Sequence, residues 1–421
     1  MQKDYPELEA FGDDLYRCVK CGSCRSVCPV FAEIGRESAV ARGKLALIEN
    51  LAEGNVVMSN RFEEILSLCV GCSACAENCS NGVRAGEIIM AARAAIVAGK
   101  GLSLGKRLTI RRILKSARMM PRIFKIGSLV QGLICKRIPR ESGLHLRFAL
   151  PYLDQKRFIP PVARRFFLEH HGGEVVTDRG VERIGLFVGC VTNYLFPSIG
   201  EATVNLLKER GTSLVSPRDQ GCCGLPAFGV GDIETFKSLA LRNIEAIGKS
   251  GVDKVVVPCS SCAYVLKKLY PKIFPEDERW KRISPYVMEV SQYLSSLDWA
   301  KRESAFNQGN IKVTWHDPCH LNRELGIKME PRELLKSIPQ VELVEMADPS
   351  RCCGLGGSFN LTQYDLSLKI AERKMEDVRA TGAEIVVTSC TGCILQLKDA
   401  VHQKGMNVEV LHLVEALQRY R

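Results

Sequence analysis

Lys254-Val255-Val256-Val257-Pro258-Cys259-Ser260-Ser261-Cys262 returns 131 residues later as Ile385-Val386-Val387-Thr388-Ser389-Cys390-Thr391-Gly392-Cys393. In both places a short β-branched run leads straight into a Cys-x-x-Cys pair, the pattern of a buried strand with thiols on the loop that leaves it. Working outward, the surrounding cysteines fall into the same register. Cys190 recurs at Cys319, 129 residues on, and Cys222-Cys223-Gly224 recurs at Cys352-Cys353-Gly354, 130 residues on. A drift of one residue per step marks a duplicated domain.

Each copy also carries an earlier strand pattern, Ile184 to Val188 before Cys190 and Ile311 to Trp315 before Cys319, with helix-length segments Ile233 to Gly248 and Leu366 to Ala380 between the strands. Strand, helix, strand with crossovers favours parallel sheets, whose ligands lie on loops at strand ends. The thiols are Cys190, Cys222, Cys223, Cys259 and Cys262 in the first copy, and Cys319, Cys352, Cys353, Cys390 and Cys393 in the second. Five exceed what a cubane or a tetrahedral zinc requires. Two are adjacent, and neighbouring side chains on an extended backbone point to opposite sides, so the pair can hold separate irons or bridge them. One or two iron-sulfur clusters of unusual geometry, or zinc in one copy, are expected there.

The first hundred residues carry a more specific signal. Cys18-x-x-Cys21-x-x-Cys24-x-x-x-Cys28-Pro29 has every spacing of the bacterial ferredoxin run, and Cys69-x-x-Cys72-x-x-Cys75-x-x-x-Cys79 repeats it, with Ser80 in the place of the proline. In two-cluster ferredoxins the fourth cysteine of each run ligates the other cluster. On that rule Cys18, Cys21, Cys24 and Cys79 hold one 4Fe-4S centre, and Cys69, Cys72, Cys75 and Cys28 hold a second. Structural zinc prefers two pairs roughly 12–20 residues apart, whereas 40 residues separate Cys28 from Cys69. That spacer reads as helical over Glu33 to Leu51 and Arg61 to Leu68, so the expectation is a helical two-cluster domain.

The fold class is therefore α+β and multidomain: a helical ferredoxin domain over 1–100, a basic amphipathic connecting region over 101–180, and duplicated α/β domains over 181–300 and 301–421. Between Gly101 and Arg140 of the connecting region Lys106, Arg107, Arg111, Arg112, Lys115, Arg118, Arg122, Lys125, Lys136, Arg137 and Arg140 occur without one acid, which matches the whole net charge of +11. Ile110, Ile113, Leu114 and Ala117 recur at helical spacing, so an amphipathic helix docking on an acidic subunit or an anionic membrane surface is expected. No nucleic-acid motif accompanies the charge, and no nucleic acid is expected as a partner. The most apolar stretches, such as Ile126 to Cys135, fall short of the roughly 20 residues of a membrane span. Nineteen cysteines behind a start without an apolar leader point to a reducing, cytoplasmic compartment, with peripheral contact on the inner face of the membrane.

Cys222-Cys223-Gly224-Leu225-Pro226, His316-Asp317-Pro318-Cys319-His320, Cys352-Cys353-Gly354, the two Cys-x-x-Cys pairs and Val408-Glu409-Val410-Leu411-His412 together resemble the CCG-domain iron-sulfur proteins. These include heterodisulfide reductase subunits and the iron-sulfur subunits of glycolate oxidase, lactate-utilisation dehydrogenases and anaerobic glycerol-3-phosphate dehydrogenase. With the N-terminal runs the resemblance covers nearly the whole chain, and its domain order is most similar to the glycolate oxidase subunit or the D-type heterodisulfide reductase subunit. Keeping all five cysteines in each copy is closer to the disulfide-reducing members. The resemblance implies an electron-transfer subunit with an FAD-containing dehydrogenase partner, and a membrane surface or cytochrome as a further contact. Consistent with that, the chain carries no flavin, nicotinamide or phosphate-binding fingerprint with which to take a hydride itself.

Three smaller expectations remain. Thiolates already fill the site, so His316 and His320 are read as bracing ligands or capping a helix rather than ligating. Gly354-Leu355-Gly356-Gly357 fails the GxGxxG spacing and reads as backbone wrapped closely around a cluster. Cys135, outside both patterns, reads as a buried apolar thiol.

Overall fold

The computed structural model describes residues 5–138, 143–148, 154–175, 182–209, 212–297 and 311–420. Residues 5–134 hold helices and no strand, as the cysteine spacing implies. Helix Ala41–Ala52 buries Ala41, Lys44, Leu45, Ile48 and Leu51, the stripe of a one-sided amphipathic helix, against Ala85–Lys100, which presents Ile88, Ile89, Ala92 and Ile96. The expected helix from Glu33 is interrupted. Gly35 takes a left-handed conformation with φ 69° and caps helix Pro29–Ile34, and the chain makes a single turn at Glu37–Ala39 before helix Ala41–Ala52 begins.

The duplicated half forms two sheets. The strands, numbered with the hairpin β1 (Cys135–Arg137) and β2 (Leu144–Leu146), are β3 (Gly173–Val175), β4 (Arg183–Leu186), β5 (Ser213–Ser216), β6 (Lys254–Val257), β7 (Val287–Glu289), β8 (Ile311–Trp315), β9 (Val341–Leu343), β10 (Ile385–Thr388) and β11 (Glu409–His412). The first sheet has the order β3-β5-β4-β6-β7 and the second β11-β10-β8-β9, so β5-β4-β6-β7 and β9-β8-β10-β11 are the same parallel motif twice. β3 is the one antiparallel addition, and it comes from the stretch read as connector. β6 and β10 are buried on both faces, hence their continuous β-branched composition. One apolar core runs through both copies.

The basic segment is helical over Leu104–Lys106, widens through Arg107–Leu114, and resumes as Met119–Ile134. Two of its cations are engaged within the molecule. Arg111 pairs at 2.8 Å with Asp232, which is buried, and Lys125 lies 3.3 Å from Glu169. Arg140 lies outside the described residues. Cys135 is buried with Leu144 and Leu146, as expected. Among the described residues no single helix is long and apolar enough to cross a membrane.

Candidate metal centres

All nineteen cysteines are free thiols, and eighteen of them gather in four groups. Cys18, Cys21, Cys24, Cys75 and Cys79 line one surface cleft, which brings two cysteines of the second run beside the first. Burial pushes the Cys28 thiol up to about 11, and the neighbours that raise it further are Cys72 and Cys69 of the second run. Cys75 stands among Cys69, Cys72 and Cys28 and also feels Cys24, which makes it the member nearest both groups. At Ser80 the missing proline is compensated by Asn81, which donates at 3.0 Å to the Arg17 carbonyl and holds that loop.

In both CCG copies the thiols sit at the carboxyl ends of the strands. Cys259 and Cys390 occupy the N-cap positions of helices Ser260–Tyr264 and Thr391–Gln403, where the helix dipole favours negative charge. The Cys190 thiol neighbours that of Cys222, and Cys262 neighbours both Cys223 and Cys259. In the second copy Cys353 and Cys393 approach to 3.5 Å, and Cys390 contacts Cys393. The adjacent pairs behave alike: hydrogen bonding by Cys222 holds the Cys223 thiol below its ordinary range, and Cys352 does the same for Cys353. The backbone N–H of Gly224 donates to Cys222 Sγ at 3.4 Å and that of Gly354 to Cys352 Sγ at 3.3 Å. In the glycine phrase after Cys353 the backbone runs close to the N-terminal helices: a Cβ on Gly356 would stand 2.9 Å from Val70 Cβ.

The groups are joined end to end, which spacing alone did not reveal. Cys72 of the ferredoxin domain contacts Cys352 of the second copy. Cys390 of the second copy contacts Cys259 of the first. The line therefore runs from Cys18/Cys21/Cys24/Cys79 through Cys28/Cys69/Cys72/Cys75 to the second CCG copy, then to the first. Hydrogen bonds clamp the last junction: Ser260 Oγ lies 2.8 Å from Ser389 Oγ, Ser261 Oγ lies 3.2 Å from Cys390 Sγ, and Cys259 Sγ lies 3.3 Å from Thr391 Oγ1.

Buried cations stand along this line. Lys44 donates to the Ala39 carbonyl, and although burial pushes it down, the neighbouring sulfurs of Cys69 and Cys28 oppose that shift. Arg93 bonds the carbonyls of Leu66, Cys69 and Gly229 at 2.7, 2.8 and 2.8 Å, tying the ferredoxin domain to the first copy. Arg323 lies between Cys72 and Cys319 and pairs with Glu77 at 2.8 Å. Lys374 donates to the Asp348 and Pro349 carbonyls at 2.8 and 3.0 Å, and burial lowers it to about 8. Sequence reasoning passed over these residues, though two left a signal: Lys44 and Lys374 each occupy a core position in an otherwise apolar helical stripe. Positive charge buried beside clustered thiols is the environment an anionic iron-sulfur cluster needs, and the donor sets fit such groups. Clusters bound here would supply one-electron carriers.

Of the two histidines, His320 braces as expected, with Nδ1 2.8 Å from Ser261 Oγ and its ring stacked on Tyr264. His316 departs from the expectation: it lies beside Cys353 and Cys393 and neither braces nor caps.

Residues 184–267 and 313–398 each match the CCG cysteine-rich domain, and residues 14–83 match the 4Fe-4S dicluster domain. A probable glycolate oxidase iron-sulfur subunit of Bacillus subtilis (strain 168) is 32% identical over 431 residues, covering 99% of this chain and 96% of its own length. The chain belongs to the CCG iron-sulfur protein family. Another relative, a subunit of the fumarate reductase (CoM/CoB) of Methanothermobacter marburgensis, is 28% identical over 99% of this chain and 74% of its own. Lactate utilization protein A of an Exiguobacterium species is 31% identical over 56% of this chain and 96% of its own. A crystal structure of a hypothetical protein from Helicobacter pylori shares the fold, with a TM-score of 0.50 at 9% identity, covering 99% of this chain and 76% of that one. Membership supports iron-sulfur clusters in this chain and an electron-transfer role among the CCG proteins.

Proposed function

We propose that this chain is the iron-sulfur electron-transfer subunit of an FAD-linked 2-hydroxyacid dehydrogenase. A flavoprotein partner oxidises glycolate or lactate, and the clusters here carry single electrons toward quinone or another membrane acceptor. In this reading Cys18, Cys21, Cys24 and Cys79 hold one 4Fe-4S centre, Cys28, Cys69, Cys72 and Cys75 hold the other, and each CCG copy holds a further centre on its five thiols. The observation that carries the reading is the unbroken line of four thiol groups, from exposed Cys21 at one end to Cys190 at the other.

What lies at the Cys190 end of the line supports a polarity. Cys190 and Cys222 lie against Ser116, Met120 and Pro121 of the basic segment. On helix Met119–Ile134, Ile126, Leu129 and Leu133 are 59%, 76% and 75% exposed. Arg112, Lys115, Arg118, Arg122, Lys136 and Arg137 are exposed beside them. Open apolar side chains flanked by cations suit an anionic bilayer, where each cation contributes about 1 kcal/mol. The flavoprotein then meets the ferredoxin end and the membrane acceptor meets the first CCG copy.

The test is anaerobic affinity purification of the full chain from its own cells, followed by addition of glycolate or lactate to the captured complex. Capture of an FAD protein, with cluster EPR signals appearing on substrate addition, supports the reading; capture without any flavoprotein overturns it. Sedimentation with phosphatidylglycerol vesicles, weakened by salt and by Leu129→Asp with Leu133→Asp, checks the membrane end, and equal binding to neutral vesicles counts against it. The contact of Cys259 with Cys390 favours a second reading, in which two adjacent CCG centres reduce a disulfide to two thiols in two one-electron steps. Capture of a b-type cytochrome instead of a flavoprotein would favour that reading, and a colourless anaerobic preparation would remove both.

A further inference from the structure

His316 is the first residue beyond β8. Its backbone N–H donates to the Val387 carbonyl at 2.9 Å, so the sheet edge fixes where its side chain starts. The ring is 1% exposed, and neither Nδ1 nor Nε2 has a hydrogen-bond partner. Buried imidazoles ordinarily bond through at least one nitrogen, so two unpartnered nitrogens in the same ring call for a ligand. That ligand has neighbours ready: a ring nitrogen of His316 and the sulfurs of Cys353 and Cys393 lie within 4.8 Å of one another. The two sulfurs are 3.5 Å apart, close to the roughly 3.7 Å edge of a tetrahedron built on 2.3 Å metal–sulfur bonds.

The first copy has no such donor. Phe187 stands in the corresponding place, fully buried in the core.

We propose that His316 is a nitrogen ligand of the metal centre in the second CCG copy, beside Cys353 and Cys393, so that the two copies hold centres of unequal composition. Thiolates alone serve the first; thiolates and one imidazole serve the second. The inference rests on the second copy holding metal. A neutral donor leaves a cluster easier to reduce than an anionic donor in the same place, as imidazole ligation does in Rieske centres.

The test uses the full-length protein, isolated anaerobically with 57Fe and, in a parallel batch, 15N-histidine. Pulsed EPR of the second centre should show a nitrogen coupling that rescales on 15N-histidine labelling and disappears in His316→Phe, which copies the first domain. His316→Cys should keep the metal and lower the midpoint potential of that centre. Should the centre be silent in EPR, Mössbauer spectra decide: wild-type doublets unchanged in both variants overturn the proposal, and a shift confined to one subset of iron supports it. Zinc in the second copy would be read at the zinc edge, where a nitrogen scatterer lost in both variants supports the assignment. A metal-loaded second copy without nitrogen coupling, or with the coupling intact in His316→Phe, overturns the proposal alone. A second copy that holds no metal in the wild type overturns it together with the reading beneath it.

Discussion

Where the first CCG copy has Phe187, Asn243 and Asp232, the second has His316, Lys374 and Gln363 in the corresponding positions. The cysteines themselves are in register throughout. Asn243 is a neutral amide donating at 2.9 Å to the Cys222 carbonyl, whereas Lys374 brings a buried amine toward Cys353. Neighbouring charge and donor type tune a metal centre as strongly as its ligands do. Duplication with the thiols held constant and their surroundings changed is therefore a route to two carriers of different potential in one chain.

The sharpest way to break the comparison is to delete one centre at a time. Cys353→Ala should remove the second centre and, because that copy stands between the ferredoxin groups and the first copy, cut electron flow to the first by several orders of magnitude. Cys223→Ala should remove the first centre and leave the other three reducible. Freeze-quench EPR after dithionite reduction reads both, and equal effects of the two variants would refute the linear order.

The next largest difference lies in the glycines after the cysteine pairs. Gly224 and Gly354 have φ values of 93° and 94°, in the left-handed region. A Cβ at Gly354 would stand 2.5 Å from the Ser367 carbonyl oxygen, whereas one at Gly224 would meet the Phe236 ring at 2.7 Å, and only the ring can turn aside. Gly354→Ala should cost about 3 kcal/mol or more and Gly224→Ala about 1–2 kcal/mol, in the range of strained backbone. Chemical denaturation of the metal-loaded protein measures the difference, and a reversed ranking would show that the two loops are not braced as described.

Asp232 accepts from Thr235 at the start of helix Ile233–Lys249 and pairs with Arg111. Its counterpart Gln363 makes no side-chain cap bond to helix Tyr364–Thr381. Asp232→Asn should cost about 1–2 kcal/mol and Gln363→Ala only a few tenths. Burial opposes ionisation of Asp232, yet Arg111 and Thr235 hold it below the ordinary carboxylate range. Its contribution is therefore complete above the unfolded carboxylate range near pH 4 and is lost as pH falls through the lower folded value. Melting curves of wild type and Asp232→Asn should converge toward acid pH; a constant gap would refute the assignment.

The smallest effect expected is electrostatic. Lys374→Met removes a buried positive charge from the second copy and should make its midpoint potential more negative by on the order of tens of millivolts. Asn243→Met in the first copy should move its centre less. Spectroelectrochemical titration compares them, and equal shifts would mean that Lys374 carries no charge in the native protein.

Much of this molecule is legible in its amino-acid sequence. Eight thiols at ferredoxin spacing determine their own loops, because ligands two and three residues apart are constrained by covalent geometry alone. The repeated strand-to-cysteine pattern determines two parallel sheets with thiols at the strand ends, since β-branched runs of that length bury only in such sheets. Sequence misleads where the outcome depends on distant partners. A sequence of cations without acids cannot show that Arg111 is spent on Asp232, 121 residues away. The contacts of Cys72 with Cys352 and Cys259 with Cys390, the buried amines of Lys44 and Lys374, and the two unpartnered nitrogens of His316 all arise where separate elements close on one another. Local spacing determined which residues can hold metal; only long-range packing, of the two copies around one core and of the N-terminal helices against the second copy, decided which groups adjoin and in what order electrons can pass along them.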